Sequence, residues 1–272
     1  MGCEDAILKK TKKEMPMKKT FLNHKRPVLT GMLNSQTKED ALAEIARFRA
    51  DGAEAYGILL DRLLPEHKNR ETIAELFRAM DDLPIYATNY MRNNTEPHLT
   101  WDDLAKGMIE ARELGATLID VPADTFLSSP REVTYDPAAV EKQKALIREL
   151  HGMGAEVLMS SHVMEFLPKE EVLALAKEQL SRGADIAKIV TNAETEAQLI
   201  ENFEASLLLR REIGKNFLFL CNCAYAFPHR IFGPGLGGCM FLCIENKRKW
   251  EGGQPPIRSA RAVLDLSEGI SL

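Results

Sequence analysis

The chain has 272 residues, of which 45% are hydrophobic and 28% charged, an ordinary composition for a globular protein with one large core. A net charge of -5 gives no general electrostatic reason to bind nucleic acid or an anionic membrane. The sequence contains no run of about 18 apolar residues, so it predicts no membrane-spanning helix. The odd number of cysteines and the lack of a disulfide-like pattern predict reduced thiols in a cytoplasmic protein.

Residues 1–24 are basic and poorly apolar, and they lack the apolar middle of a signal peptide. We expect this segment to be a disordered tail, or to include an upstream start, with Met15 or Met17 as the usual first residue. The predicted globular domain is residues 25–272.

Apolar runs of strand length alternate with longer amphipathic segments through the rest of the chain. In chain order, the predicted elements are strand Val28–Met32, helix Thr37–Ala50, strand Ala55–Leu60, helix Asn69–Met80, strand Pro84–Thr88, helix Trp101–Leu114, strand Thr117–Val121, a helix capped by Asp136 with Pro137 at its first position, strand Glu156–Ser160, helix Lys169–Ser181, strand Asp185–Val190, helix Thr195–Glu212, strand Phe217–Cys221, strand Cys239–Cys243 and helix Arg258–Leu266.

Gly52, Gly115, Gly154 and Gly183 stand just before strands, where glycine ends a helix. Glycine followed by a short β run is typical of repeated βα units and a parallel sheet. Eight such units without a break in composition favour a single-domain (β/α)8 TIM barrel. A doubly wound sheet is the alternative, but no GxGxxG turn follows the first strand.

Two residues at neighbouring strand ends could carry chemistry. Lys188 lies inside the apolar run Ile186–Val190, where burial disfavours the charged amine and permits attack on a carbonyl group. The alternative is a structural lysine paired with a buried carboxylate. His162 ends the preceding strand, and it can supply the acid and base that imine chemistry needs. Strand ends meet at the catalytic face of a barrel, so the pair favours a Schiff-base enzyme.

The stretches Met159–His162 and Ala187–Ile189 resemble the histidine and lysine motifs of the type I 3-dehydroquinate dehydratase family. The resemblance spans about residues 26–266. It implies a metal-free, cofactor-free (β/α)8 lyase of the shikimate pathway of aromatic amino acid biosynthesis, commonly dimeric. In that family the lysine forms an imine with the ring ketone of 3-dehydroquinate, and the histidine moves the protons as water leaves. Lys188 and His162 would be these catalytic residues.

The resemblance also implies a substrate-binding shell. Arg230 matches the arginine that holds the substrate carboxylate, and Gly253-Gln254 matches a Gly-Gln pair that contacts substrate. The other implied substrate-binding positions are Asp61, Asn89, Arg92 and Asn222. Several of the family's polar positions are altered, falling at Gly57, Leu59, Pro122 and Trp250.

These replacements predict a more apolar pocket and a less hydroxylated or flatter carbonyl substrate, because sites built for hydroxyl groups depend on polar partners. Ordinary 3-dehydroquinate dehydration stays open if Arg92, Asn89 and Asp124 rebuild the shell. The sequence is also compatible with a class I aldolase-like enzyme that cleaves a carbon–carbon bond, and with a catalytically silent binding barrel.

Two further motifs are weaker. Cys221 and Cys223, with His229 nearby, could hold zinc if both thiols lie on one face of a strand, although no second ligand pair has suitable spacing. The glycine-rich segment 233–238 could present backbone N–H groups to an anion, or it could be a mobile loop.

Overall fold

The computed structural model describes residues 19–94, 98–246 and 253–267. Eight parallel strands pair in the order β7-β6-β5-β4-β3-β2-β1-β8, so each strand lies beside its neighbours in sequence and the first pairs with the last. Strands and helices alternate, which confirms the predicted (β/α)8 barrel. The strands are β1 Val28–Leu33, β2 Ala55–Leu59, β3 Ile85–Thr88, β4 Leu118–Pro122, β5 Glu156–His162, β6 Ile186–Asn192, β7 Phe217–Asn222 and β8 Met240–Cys243.

Helices follow the strands, and the residues predicted to begin or end helices have the expected local geometry. Asp136 accepts a hydrogen bond from the backbone of Ala139 with Pro137 at the first helical position, and all four predicted helix-ending glycines have positive φ angles. The helices are α1 Lys38–Ala50, α2 Arg70–Ala79, α3 Trp101–Glu113, α4 Pro137–Gly152, α5 Lys169–Ser181, α6 Glu196–Ile213, α7 Ala226–Phe232 and α8 Ile257–Ser267.

The region after β7 differs from the sequence prediction. Helix α7 was not predicted, and its residues His229, Arg230 and Ile231 are buried. The segment 233–238 is not an open loop, because Gly233–Leu236 form a 3-10 turn. The backbone N–H groups of Gly237 and Gly238 both donate to the carbonyl of Pro234. These two N–H groups are therefore not available to an anion.

The core has two layers, as expected for a barrel whose strands are covered by helices. The larger layer lies between strands and helices, and the smaller one fills the barrel interior. Phe21 is fully buried in the interior layer, and its backbone N–H donates to Glu156 at the start of β5 at 2.8 Å. Residues 19–24 therefore close the N-terminal end of the barrel, and the predicted tail boundary at residue 24 needs correction; residues 1–18 lie outside the described part.

The barrel is nearly closed. The backbone N–H of Cys239, just before β8, donates to the carbonyl of Phe217 on β7 at 2.9 Å. The carboxyl ends of the strands gather at the opposite end from Phe21, and this end holds the candidate site. Within the described residues, no helix combines the length and apolarity that crossing a bilayer requires.

Candidate active site

Lys188 lies on β6 inside the barrel and is 4% exposed. Its ammonium group donates to the hydroxyl groups of Tyr86 at 3.0 Å and Tyr90 at 2.5 Å, and to Asp120 Oδ2 at 3.2 Å. Both tyrosines donate in turn to the same Asp120 oxygen, at 2.5 and 2.6 Å. Ser160 donates to the other carboxylate oxygen at 2.5 Å.

This network holds the lysine in place and adjusts its charge. Burial lowers the pKa of Lys188, and the charge of Asp120 opposes that change. Burial disfavours the charged carboxylate of Asp120 as well, but Lys188 and three hydroxyl donors bring its pKa below the usual value. Asp120 is thus the charged partner of an amine whose pKa is lowered toward the range in which it can act as a nucleophile.

His162 ends β5, two residues after the strand position that pairs with Lys188. Its Nδ1 lies 2.7 Å from Glu132 Oε2, and its backbone N–H donates to the same oxygen at 3.0 Å. A carboxylate can only accept, so the shorter contact, at 2.7 Å, assigns the proton to Nδ1; Arg92 Nη1, a second donor, lies 3.1 Å from the same nitrogen. Nε2 is then the basic nitrogen of the ring.

Glu132 also forms an ion pair with Arg92, whose guanidinium lies over the Tyr90 ring at 4.4 Å. The φ angle of Glu132 is 49°, a left-handed conformation that side chains other than glycine rarely adopt. Ser161 donates to its carbonyl at 2.9 Å and holds the backbone there. A residue in this conformation costs about 1 kcal/mol or more, and such strained residues are often found at functional sites.

The His162 ring is neutral near pH 7, chiefly because it is buried. Burial lowers its pKa to about 4, with a further contribution from Lys188, while Glu132 opposes the change. The same pairing with His162 and Arg92 overcomes burial and lowers the pKa of Glu132 to about 2. At neutral pH the site therefore holds a neutral imidazole beside a carboxylate, which suits a general base.

A cavity of about 430 Å³ opens above these groups at the C-terminal end of the barrel. Five predicted site residues line it with Lys188, namely His162, Arg92, Asn222, Arg230 and Gln254. The predicted catalytic pair and most of the predicted binding groups thus share one cavity of a size suited to a small organic molecule.

Arg230 is buried and donates to the carbonyl of Cys221 at 2.8 Å and to Asn222 Oδ1 at 2.8 Å. Both acceptors are neutral, and burial lowers the pKa of Arg230 to about 10. A buried guanidinium without a carboxylate partner is suited to receive the anion of a ligand.

Asn89 and Asp61 do not line the cavity; their side chains have structural contacts instead. Thr88 and Tyr90 line the cavity, so Asn89 between them points away from it, because side chains alternate along extended chain. Asp61 accepts from the backbone of Tyr90 and from Asn93 Nδ2 at 3.1 and 2.8 Å, which fixes the loop after β3. The substrate-binding prediction for these two residues is not supported by their positions.

The altered shell positions leave an apolar wall. A Cβ at Gly57 would lie 2.1 Å from the sulfur of Met32, so the methionine fills the space above the glycine. Met32, Leu59, Leu242 and Ile244 line this part of the cavity. Trp250 lies outside the described residues.

A second cavity of about 300 Å³ lies on the other side of His162 and Arg92 and is lined by Asp124 and Glu132. Burial raises the pKa of Asp124 to about 6. Asp124 accepts from the backbone of Ser129 at 3.0 Å, so it shapes the loop after β4 rather than the main cavity.

The cysteine pair does not have the geometry proposed for zinc. Cys221 is buried on β7, but the strand ends at Asn222 and Cys223 is exposed with a φ angle of 69°. The two side chains therefore do not share a strand face. Among the described residues, no group of three or more histidine, cysteine or acidic side chains is arranged to hold a metal ion.

Sequence reasoning missed Tyr86, Tyr90, Asp120 and Glu132. Asp120 could have been found, since it interrupts the apolar strand Leu118–Pro122 as Lys188 interrupts β6, and two opposite charges inside one barrel must pair. Glu132 gave no such signal, because it lies in the long connection between β4 and α4.

Known proteins resemble this chain along most of its length. A sequence profile of the family described as type I 3-dehydroquinase matches residues 32–271, which confirms the resemblance stated from the motifs. A 3-dehydroquinate dehydratase of Shouchella clausii is 25% identical over 247 residues, which cover 89% of this chain and 91% of the relative.

Solved structures show the same fold. The 3-dehydroquinate dehydratase of Geobacillus kaustophilus is similar with a TM-score of 0.77 at 18% identity, over 91% of this chain and 93% of that one. The type I 3-dehydroquinate dehydratase of Clostridium difficile, covalently modified by comenic acid, gives a TM-score of 0.76 at 18% identity, over 89% and 92% of the two chains.

Proposed function

Since the chain belongs to the type I 3-dehydroquinase family, we propose that it is a Schiff-base carbon–oxygen lyase that removes water from a hydroxy-ketone, with 3-dehydroquinate as the reference substrate. The observation that carries this proposal is the position of Lys188. It is buried among Tyr86, Tyr90 and Asp120 and still lines a cavity that also contains His162 and an arginine, Arg230, that pairs with no carboxylate of the described residues.

Imine formation is the first step. The neutral amine of Lys188 attacks the ketone carbon, and the resulting carbinolamine loses its hydroxyl group as water to give an iminium ion. The Tyr90 hydroxyl lies 2.5 Å from the amine and lines the cavity, so it can relay a proton at this step. Asp120 stays charged and balances the cationic nitrogen.

Elimination follows from the iminium ion. Nε2 of His162 takes a proton from the carbon beside the imine, and the electron pair moves to the iminium nitrogen to form an enamine. The electrons then return to expel the β-hydroxyl group, which leaves as water with the proton from His162. Hydrolysis of the conjugated imine releases the unsaturated ketone and restores Lys188, so one water is lost overall.

Glu132 and Arg230 support this sequence in different ways. Glu132 holds the His162 proton on Nδ1 and stabilises the imidazolium that forms after proton abstraction. Arg230 is placed to bind the substrate carboxylate through parallel charge-assisted hydrogen bonds. Asn222 accepts from Arg230 and thus orients its guanidinium.

Borohydride trapping tests the proposal. The protein is incubated with 3-dehydroquinate and borohydride, and its intact mass is compared with that of Lys188→Met and of Lys106→Met, which changes an exposed lysine on α3. We expect a stable adduct in the unchanged protein and in Lys106→Met, and none in Lys188→Met. An adduct that persists in Lys188→Met would refute the assignment of Lys188.

Product analysis separates dehydration from carbon–carbon cleavage and from simple binding. A product lighter by one water supports the dehydratase, whereas two fragments would identify an aldolase-like carbon–carbon lyase. Absence of any adduct across a panel of small ketones and aldehydes would favour a binding barrel. The homodimer implied by the family stays a prediction, which light scattering of the purified protein checks.

A further inference from the structure

The main cavity contains an excess of positive charge. Four of its lining side chains are cationic, and no aspartate or glutamate is among the described residues that line it. Two of the four cations form ion pairs with carboxylates that do not line the cavity, Lys188 with Asp120 and Arg92 with Glu132. The other two are Arg230 and Arg62.

Arg230 provides the first free anion site, since its hydrogen-bond partners are a carbonyl and an amide oxygen. A guanidinium that is 7% exposed and has only neutral partners is costly unless a ligand supplies the opposite charge. This site accounts for one anionic group of the substrate.

Arg62 provides a second cation at a different place. It ends the 3-10 turn Leu60–Arg62 that follows β2, and its side chain is exposed at the mouth of the cavity. Among the described residues, no carboxylate lies within ion-pair distance of it. In the strand order, β2 is four strands from β6, so Arg62 stands across the barrel mouth from Lys188.

Beneath Arg62 the lining next to β2 is uncharged; besides apolar side chains it includes the neutral Asn34 after β1 and Thr88 on β3. Leu59 and Met32 cover this side, and Met32 occupies the space above Gly57. A substrate group that extends from the reacting carbon toward β2 therefore passes apolar side chains and ends at a guanidinium.

We propose that the preferred substrate is a carbonyl compound with two anionic groups, one bound by Arg230 and the other, across the barrel from Lys188, by Arg62. This inference deepens the proposed Schiff-base function and rests on it. It assigns Arg62 to substrate selection. Each anion would be a carboxylate or a phosphate, both of which a guanidinium binds through paired hydrogen bonds.

Matched ketones test the second anion site. Levulinate and 4-oxopimelate differ by one added carboxymethyl group, and acetoacetate and 3-oxoglutarate differ by one added carboxylate. The concentration that gives half-maximal borohydride adduct is measured for each in the unchanged protein, in Arg62→Gln and in Arg211→Gln. Arg211 is an exposed arginine on α6, outside the cavity, and serves as the control.

We expect at least one dianionic ketone to form the adduct at about tenfold lower concentration than its monoanionic partner, the effect of a charge-assisted hydrogen bond at an exposed site. Arg62→Gln should abolish this preference, and Arg211→Gln should keep it. High salt should weaken it, because exposed charges are screened. Equal trapping of both members of each pair, or a preference that survives Arg62→Gln, would overturn the proposal.

Phosphorylated ketones separate the two anion chemistries. Dihydroxyacetone phosphate and dihydroxyacetone form a third matched pair, so a preference that is limited to this pair and lost in Arg62→Gln would assign Arg62 to phosphate. The proposed function can fail separately. If no ketone forms an adduct, the Schiff-base proposal is refuted, while calorimetry with levulinate and 4-oxopimelate, which needs no imine, still decides whether Arg62 binds a second anion.

Discussion

Replacement of Glu132 by glutamine tests how the site makes its base. The substitution keeps the size of the side chain and an oxygen that can accept from His162 Nδ1, but it removes the charge. The hydrogen bond at 2.7 Å is then no longer charge-assisted, and Arg92 loses its ion-pair partner. The imidazolium that forms during proton abstraction loses its stabilising carboxylate.

The expected loss follows from the contact. A hydrogen bond to a charged group contributes about 1 kcal/mol more than a neutral one, which corresponds to about a fivefold decrease in kcat. Glu132→Ala also removes the group that fixes the ring tautomer, so we expect a further decrease of about tenfold or more. Lys188 does not contact Glu132, and both variants should still form the borohydride adduct.

The assay is the appearance of the conjugated ketone by ultraviolet absorbance, together with intact mass after borohydride. Glu165→Gln is the matched control, because Glu165 is exposed and pairs with Arg131 beside Glu132 in sequence. Thermal unfolding of all variants identifies loss of folding. A Glu132→Gln protein that folds and keeps more than half of its turnover, or a Glu165→Gln protein with the same loss, would refute the reasoning.

Three further predictions concern charge. Because burial lowers the pKa of His162 to about 4, the rate of elimination from the preformed imine, measured in a single turnover, should fall on the acid side only near pH 4, and an acid limb near the ordinary value of 6.5 would contradict a neutral buried base. Asp120→Asn removes the charge that raises the pKa of Lys188. The substitution should lower the free energy of unfolding by about 3 kcal/mol and extend borohydride trapping to lower pH. An unchanged pH dependence of trapping would argue against the ion pair. The folded-state pKa of Asp124 is about 6, above its unfolded value of 3.8, so its contribution to stability is lost as pH rises through 6. The free energy of unfolding of the unchanged protein should therefore fall by about 2 kcal/mol between pH 4 and pH 7, and this decrease should be absent in Asp124→Asn, which can still accept from Ser129. Denaturant titrations at both pH values measure it, and the same decrease in Asp124→Asn would contradict the prediction.

The barrel and the catalytic pair could be predicted because both follow from short-range patterns. Alternating apolar runs place strand ends at one face, and Lys188 and His162 stand at adjacent strand ends. Asn89 was assigned to substrate binding by resemblance, yet strand alternation turns it away from the cavity that Thr88 and Tyr90 line. Alternation separates Asn89 from Thr88 and Tyr90, but only the structure shows which of the two faces meets the cavity.

Glu132 could not be predicted by the same reasoning. Its carboxylate reaches His162 because the connection after β4 folds back, with Ala123 and Val133 forming an isolated parallel bridge. That path depends on a left-handed backbone at Glu132 and on contacts made by distant residues, among them Ser161. Local propensities carry little information about such a connection.

The burial of Phe21 has a consequence for synthesis on the ribosome. Its backbone bonds to Glu156, 135 residues later in the chain, and β1 pairs with β8 near the C-terminus. The first segments to emerge must therefore wait for the last ones, and such long-range contacts are slow to form. We expect arrested nascent chains that end before Met240 to remain sensitive to protease, because the barrel stays open between β7 and β1 until β8 is made. Nascent strand β1, whose six residues are all buried in the finished barrel, is then the part of the newborn chain with the greatest need of a chaperone.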